Sequence, residues 1–465
     1  MDVQQVSLSS SPKESSHNPS TTPDESNNLI KSTNNNDIDG KSSPKANSSH
    51  SKYIHSFKER ESILTDIFKT NVHINSAYNL FLSLTILFLF TQLGQYLLDL
   101  NELTQDLNYM KWAFGKFHLG LTVISYLFFC STIQWIIIRS INKMSTTFWI
   151  AETILILMFT VIPTTLINKI QFSPFLALAI YLEQMRNGMK SWSLVVENMD
   201  LPPGSRATFK QFCYFMFAPT LLYRSSYPRS KTRSWRKVLL LFFQFLACIF
   251  VVFAIARRFV SYTFSTTGIV PLKINELPVI FSIALVVGLV LKFCLMFGFL
   301  HSWLNMWAEM LQFADRFFYD SWWLSSSFGE YYRKWNLVVH VWLHTYIYNP
   351  LNKKYDNRNL AATATMVFSS LFHEYALSMA FGFFYPVLTL MYFNGIYFYF
   401  ATLHFSGKTN TAMNTSIFAS LILGIAIQTM LIPMEWYARL NCRPVYKDFL
   451  RDFFIPRTPF CVRFE

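Results

Sequence analysis

Nine stretches of this chain are apolar for about the length a helix needs to cross a lipid bilayer, which removes most soluble folds from consideration. They run 78–99, 117–138, 147–167, 172–190, 238–257, 278–301, 362–382, 384–402 and 414–434. A hydrocarbon core about 30 Å thick takes roughly 20 helical residues. The fourth stretch is the weakest, because Glu183, Gln184, Arg186 and Lys190 interrupt it. Composition agrees: 52% of residues are hydrophobic and 14% charged, against about 25% charged in soluble chains. No internal repeat of 20–50 residues is visible. The expected fold is all-α, a polytopic membrane bundle of about nine transmembrane helices.

The net charge of +13 would suit a nucleic-acid partner only if the basic residues lay within a soluble fold. They do not. Residues 1–72, rich in Ser, Asn, Thr and Pro, carry 8 basic and 9 acidic residues. Such a segment buries too little apolar area to offset chain entropy, so it reads as a disordered tail. It lacks the charged-then-apolar order of a signal peptide. Its Ser-Pro-Lys triplets at Ser11 and Ser43 are either modification sites or chance occurrences. The remaining 32 basic and 18 acidic residues gather between apolar runs, as at Arg224, Arg229, Lys231, Arg233, Arg236 and Lys237. That is the pattern of a cytoplasmic loop beside a membrane. The expected organisation is a tail at 1–72, a bundle at 73–438 and a short C-terminal tail at 439–465, with membrane lipid and not nucleic acid as surroundings.

Cys130, Cys213, Cys248 and Cys294 lie singly in or near apolar segments, where free Cys behaves as a small hydrophobe. Cys442 and Cys461 share the C-terminal tail. A bond between them needs an oxidising compartment, and the residues alone leave it open. No Cys/His spacing suits zinc, so no metal is expected. A cytosolic N-terminus and a luminal C-terminus require an odd number of crossings, which nine satisfies. The sequons at Asn47 and Asn414 then face the cytosol and are expected to stay unglycosylated.

A charged group at mid-membrane costs roughly 2.5–3.5 kcal/mol or more, and intramembrane polar residues tend to be functional. The sharpest case is Ser369-Ser370-Leu371-Phe372-His373-Glu374-Tyr375. His373 and Glu374 point about 100° apart on a helix, while Ser369 lies one turn before His373 on the same face. His373 is either a buried histidine bonded to a neighbouring helix or a general base, for which a neutral imidazole is well suited near pH 7. A second aromatic-rich feature runs Phe318-Tyr319-Asp320-Ser321-Trp322-Trp323, then Tyr331-Tyr332-Arg333-Lys334-Trp335-Asn336, then His340 and His344. Trp and Tyr there suit an interfacial belt. Asn336 either holds backbone together or donates a hydrogen bond to a substrate oxyanion. There is no G-x-S-x-G elbow and no Walker loop. A histidine without a recognisable protein nucleophile suggests direct transfer to an acceptor hydroxyl.

These residues resemble a known family. Phe313-Ala314-Asp315-Arg316 through Trp322-Trp323, Tyr331-Tyr332-Arg333 with Trp335-Asn336, and Ser370-Leu371-Phe372-His373-Glu374-Tyr375 are similar to the motifs of the membrane-bound O-acyltransferases. Leu182-Glu183-Gln184-Met185-Arg186, Phe217-Ala218-Pro219-Thr220-Leu221-Leu222-Tyr223-Arg224 and Trp436-Tyr437-Ala438-Arg439 resemble the sterol O-acyltransferase branch. The resemblance runs from about 75 to 465. It implies an endoplasmic-reticulum enzyme that moves a long-chain acyl group from acyl-CoA to the 3-hydroxyl of a sterol, with no cofactor beyond that co-substrate. His373 and Asn336 would be catalytic. Arg333, Trp335, His340, Tyr348, Arg358 and Ser369 would contact substrate, and Cys442–Cys461 would form a luminal disulfide. A homodimer or dimer of dimers is implied as well.

Two departures stand out. The family pattern F-Y-x-D-W-W-N reads Phe318-Tyr319-Asp320-Ser321-Trp322-Trp323-Leu324, with Asp320 one position early, and Glu330 replaces an asparagine. Both bear on the acyl-CoA contacts before the overall chemistry. The rival acceptors are diacylglycerol and a long-chain alcohol; the rival classes are a transporter and a non-catalytic lipid sensor.

Overall fold

The computed structural model describes residues 56–141, 144–270, 273–401, 411–444 and 446–461, apart from the side chains of Phe81, Leu89 and Gln92. The tail up to residue 55, with Ser11, Ser43 and Asn47, lies outside the described residues. Most of the described residues are helical. α1 (Ile63–Thr70) leads into α2 (Val72–Leu98), α3 (Leu100–Phe114), α4 (Phe117–Ser140), α5 (Thr146–Ile170) and α6 (Pro174–Met199). The short α7 (Phe209–Phe217) precedes α8 (Trp235–Ile255), a π segment at Ala256–Ser261 and the single turn α9 (Tyr262–Phe264). α10 (Leu277–Cys294) continues through a π segment, Leu295–Trp303, into α11 (Leu304–Met310). α12 (Phe328–Trp335), α13 (Leu337–Leu343), a π segment at His344–Tyr348 and α14 (Asn349–Tyr355) form a broken rod. Then come α15 (Arg358–Phe381), α16 (Val387–Ala401), α17 (Thr411–Asn441) and α18 (Phe449–Phe454).

The polar residues between apolar runs start these helices. Asn71, Ser145, Ser173, Ser234 and Asn357 each accept a hydrogen bond from a backbone N–H in the first turn that follows, supplying partners the helix itself cannot provide. Helix ends are closed by buried cations as well. Lys190 donates from α6 to the carbonyls of Phe215, Met216 and Ala218 at 2.6, 3.0 and 2.7 Å, covering the end of α7. Arg206 does the same at the end of α4, donating to the carbonyls of Ile138 and Ile141.

The expected nine crossings are not all reproduced. Among the described residues, six helical stretches are long and apolar enough to cross a membrane: Val72–Leu98, Leu100–Ser140, Thr146–Ile170, Trp235–Phe264, Ile274–Met310 and Thr411–Asn441. The runs at 172–190 and 362–382 are helical but less apolar, and several of their polar side chains find partners inside the bundle. Gln184 on α6, for example, donates to the Phe159 carbonyl and accepts from the Tyr375 hydroxyl on α15. The 384–402 run is the shorter apolar helix α16. Exposed Leu84, Leu87, Phe90, Ile156, Leu239 and Val286 cover the outer helices with the apolar surface that lipid requires.

The boundary at residue 72 needs correction, since ordered structure begins earlier. Arg60 holds Asp315 by two hydrogen bonds of 3.0 and 2.9 Å, and the backbones pair on both sides, Arg60 N to Ala314 O and Arg316 N to Arg60 O. Ser62, fully buried, lies 3.1 Å from the Tyr319 hydroxyl and 3.3 Å from His301 Nδ1. Phe57, Ile63 and Leu64 pack on the cluster around Phe318, Tyr319 and Trp322. A polar composition averaged over 72 residues hides so short a docking segment.

At the other end, the tail after α17 folds back. Cys442 and Cys461 are joined, with Cα atoms 5.4 Å apart. They sit over Gly268, whose φ of +85° and closeness to both sulfurs leave no room for a Cβ. Buried Glu435 accepts from Arg439 and from the backbone N–H groups of Arg457 and Thr458.

Candidate active site

His373 sits on α15 with its Nδ1 2.7 Å from the carbonyl oxygen of Ser369, one turn back. A carbonyl only accepts, so Nδ1 carries the hydrogen and a neutral ring keeps its lone pair on Nε2. The Ser369 main chain therefore sets the tautomer. The Ser369 hydroxyl, placed beside the imidazole by sequence spacing, is not the group in contact. The imidazole is accessible, whereas neighbouring Glu374 is buried. Glu374 turns away and accepts from both the backbone N–H and the hydroxyl of Thr389, at 2.8 and 2.9 Å. It thereby satisfies the first turn of α16 and fixes that helix against α15.

α16 contributes Tyr392, whose hydroxyl lies 3.4 Å from His373 Nδ1, with ring centroids 5.5 Å apart. Tyr392 stacks in turn on Tyr332 of α12, at 6.0 Å and 21°. Gly395 makes this possible, since a Cβ there would come within 2.5 Å of the Tyr332 hydroxyl oxygen. Two ring contacts therefore connect His373 to the helix that ends in Trp335 and Asn336.

Asn336 separates α12 from α13 at φ −139° and ψ 88°, and its Oδ1 accepts from the Val339 N–H at 3.2 Å. Of the two readings of this residue, the capping one is realised through Oδ1. The two Nδ2 hydrogens are not needed for it. His340 faces His344 at 6.0 Å, and His344 stacks on Tyr348 at 5.1 Å and 15°. This aromatic ladder runs into the π segment that packs on α15. π turns of this kind are frequent at functional sites. Burial lowers the basicity of both His340 and His344, with the neighbouring charges of His344 and Arg333 adding to the effect at His340.

Arg333 is exposed on α12, and Arg358 is exposed at the first residue of α15. The structure thus gathers His373, Ser369 and Tyr392 at one point, with Trp335 and Asn336 joined to them through Tyr332. Arg358 stands apart, 15 residues and about 22 Å from His373 along the helix axis.

The two departures from the family pattern have local explanations. Asp320 is spent on its own turn, its carboxylate accepting from the Ser321 N–H at 2.6 Å, and Leu324 points outward. Glu330 pairs with Lys334 at 2.6 Å and accepts from the Ser326 N–H at 3.0 Å. Burial alone would push its carboxyl up, but Lys334, the Ser326 N–H and the Arg333 charge together hold it below the usual range.

Sequence reasoning missed Tyr392, Tyr332 as its partner, and Lys292. Nothing in Leu390-Met391-Tyr392-Phe393 distinguishes the tyrosine from its apolar neighbours. Lys292 did carry a signal, as the one Asp, Glu, Lys or Arg between Glu276 and Glu309.

A bundle of long apolar helices, with an accessible, tautomer-fixed histidine linked through Tyr392 and Tyr332 to the helix that ends at Asn336, defines a multi-pass membrane protein. The chain belongs to the membrane-bound O-acyltransferase family, whose model matches residues 67–434. It is 33% identical over 433 residues to sterol O-acyltransferase 1 of Mus musculus, covering 87% of this chain and 79% of that protein. Against sterol O-acyltransferase 1 of Rattus norvegicus it is 33% identical over 435 residues, 87% of this chain and 78% of the other. Sterol O-acyltransferase 2 of Homo sapiens is 30% identical over 405 residues, 82% and 76% of the two chains.

Proposed function

We propose that this protein is a sterol O-acyltransferase, moving a long-chain acyl group from acyl-CoA to the 3-hydroxyl of a sterol. The observation that carries the mechanism is the His373–Ser369 contact, which leaves Nε2 as the basic nitrogen. His373 Nε2 takes the sterol hydroxyl proton as that oxygen attacks the thioester carbonyl. The tetrahedral intermediate then collapses with loss of the CoA thiolate, which recovers the proton. Asn336 Nδ2 donates to the thioester oxygen while its Oδ1 remains on the Val339 N–H. Holding the two substrates in line supplies much of the rate, and a dry site strengthens each hydrogen bond.

In this reading the CoA phosphates lie near Arg333 and Arg358, and the acyl arm passes Tyr348, His340, Trp335 and Ser369 toward His373. No cofactor acts beyond the co-substrate. The enzyme resides in the endoplasmic-reticulum membrane as a homodimer or dimer of dimers, with its N-terminus cytosolic and the Cys442–Cys461 end luminal. The test is expression in microsomes that lack background esterification, supplied with labelled oleoyl-CoA and equal amounts of sterol, diacylglycerol and long-chain alcohol. Labelled steryl ester on a thin-layer plate is the expected product. Triacylglycerol or wax ester in its place would reassign the acceptor.

A further inference from the structure

Lys292 lies midway along the continuous helical stretch Ile274–Met310, a candidate membrane span. Eighteen residues separate it from either end, about 27 Å of helix, too far for its side chain to reach water at a helix end. Among the described residues it makes no ion pair with a carboxylate. Its ammonium instead enters an aromatic cage. Nζ stands 3.4 Å from the ring centroid of Trp335, 5.1 Å from Tyr331 and 5.8 Å from Trp322, and donates to the Tyr331 hydroxyl at 2.5 Å. The rings also pack on one another, Trp322 on Trp335 at 4.8 Å and Tyr331 on Trp335 at 5.9 Å. A cation over an indole face is held by the ring quadrupole, and the attraction grows as water is removed.

We propose that Lys292 is a positioning residue for acyl transfer. From α10 it fixes the Trp335 indole, and through it the chain break at Asn336 that starts α13. Three aromatic rings and one hydroxyl replace the hydration of the ammonium, and all four groups belong to the 322–335 segment. The tether is therefore specific to the stretch leading into Asn336. An apolar side chain at 292 would fill the space without directing the ring. This inference rests on the reading of Asn336 as a site residue.

The experiment compares wild type, Lys292→Met and Lys292→Arg in microsomes, with kcat and the acyl-CoA KM determined per amount of folded protein. K292M is expected to lower kcat by about tenfold or more with KM changed less than about twofold, and K292R to restore kcat to within about threefold. A K292M kcat within about twofold of wild type, or a K292R enzyme as impaired as K292M, overturns the proposal. Should K292M not accumulate, K292R alone decides, because the retained cation predicts near-normal kcat. The ratios are read on whichever acceptor wild type esterifies, so an error in the proposed acceptor does not carry over to Lys292.

Discussion

Glu374 binds Thr389 through two hydrogen bonds from the residue immediately after His373. The same turn of α15 therefore presents His373 on one side and anchors the neighbouring helix on the other. Glu374→Ala removes both bonds and leaves the first turn of α16 without its acceptor. A loss of roughly 2–3 kcal/mol is expected, read as a lower midpoint of thermal unfolding in detergent. An unchanged midpoint would show that water takes over the contact.

Replacing His373 tests the base directly. His373→Gln should lower acyl transfer by about 10²–10⁴-fold at wild-type abundance in the membrane. Ser369→Ala provides the contrast, because the carbonyl and not the hydroxyl orients the ring. Its kcat should stay within about threefold of wild type, any effect falling on acyl-CoA KM. Retained activity in H373Q would remove the histidine from the base role.

Asn336 caps α13 through Oδ1, while the oxyanion contact proposed for it uses Nδ2, so substitutions can separate the two. Asn336→Asp keeps an oxygen for the Val339 N–H while removing the amide donor. It should fold with near-normal stability and lose at least about tenfold in kcat. Asn336→Ala should lose that activity and about 1 kcal/mol of stability with the cap. Equal kcat in wild type and N336D, measured per folded protein, would restrict Asn336 to capping.

Glu330 is a third case, with a pH signature. Its carboxyl is held below the ordinary 4.5, so the folded state binds fewer protons than the unfolded chain near that pH. The stabilisation is present above the unfolded value and is lost as pH falls below it. Glu330→Gln should flatten the acid limb of a stability-against-pH curve and cost less than about 1 kcal/mol at pH 7. Acyl-CoA KM should hardly move, since Lys334 already neutralises the charge. A marked fall in KM in E330Q would mean that Glu330 repels the donor after all.

Much of the architecture could be read from hydropathy, because membrane helices must satisfy their own backbone and so declare themselves by length. The runs at 172–190 and 362–382 are helical as expected, but too polar to stand among the six long apolar helices. Gln184 and Lys190 are satisfied by Phe159, Tyr375 and the end of α7, and no linear reading reveals those partners. At the candidate site, His373 was conspicuous because charge is scarce across the chain, at 14% of residues. Tyr392 was invisible, since an aromatic in an aromatic-rich helix becomes distinctive only when α16 packs on α15. Ser62 and Arg60 were lost within the polar tail because their partners lie more than 200 positions away.

That last separation also has a meaning in time. Arg60 is synthesised 255 residues before Asp315, an interval of about 13–50 s at ordinary translation rates. Until then Arg60 lacks its carboxylate, although Phe57 already has the Tyr227 ring to pack on. Completing the Arg60–Asp315 contact therefore requires that the chain through α11 has been made, so this early segment is held in full only late in synthesis.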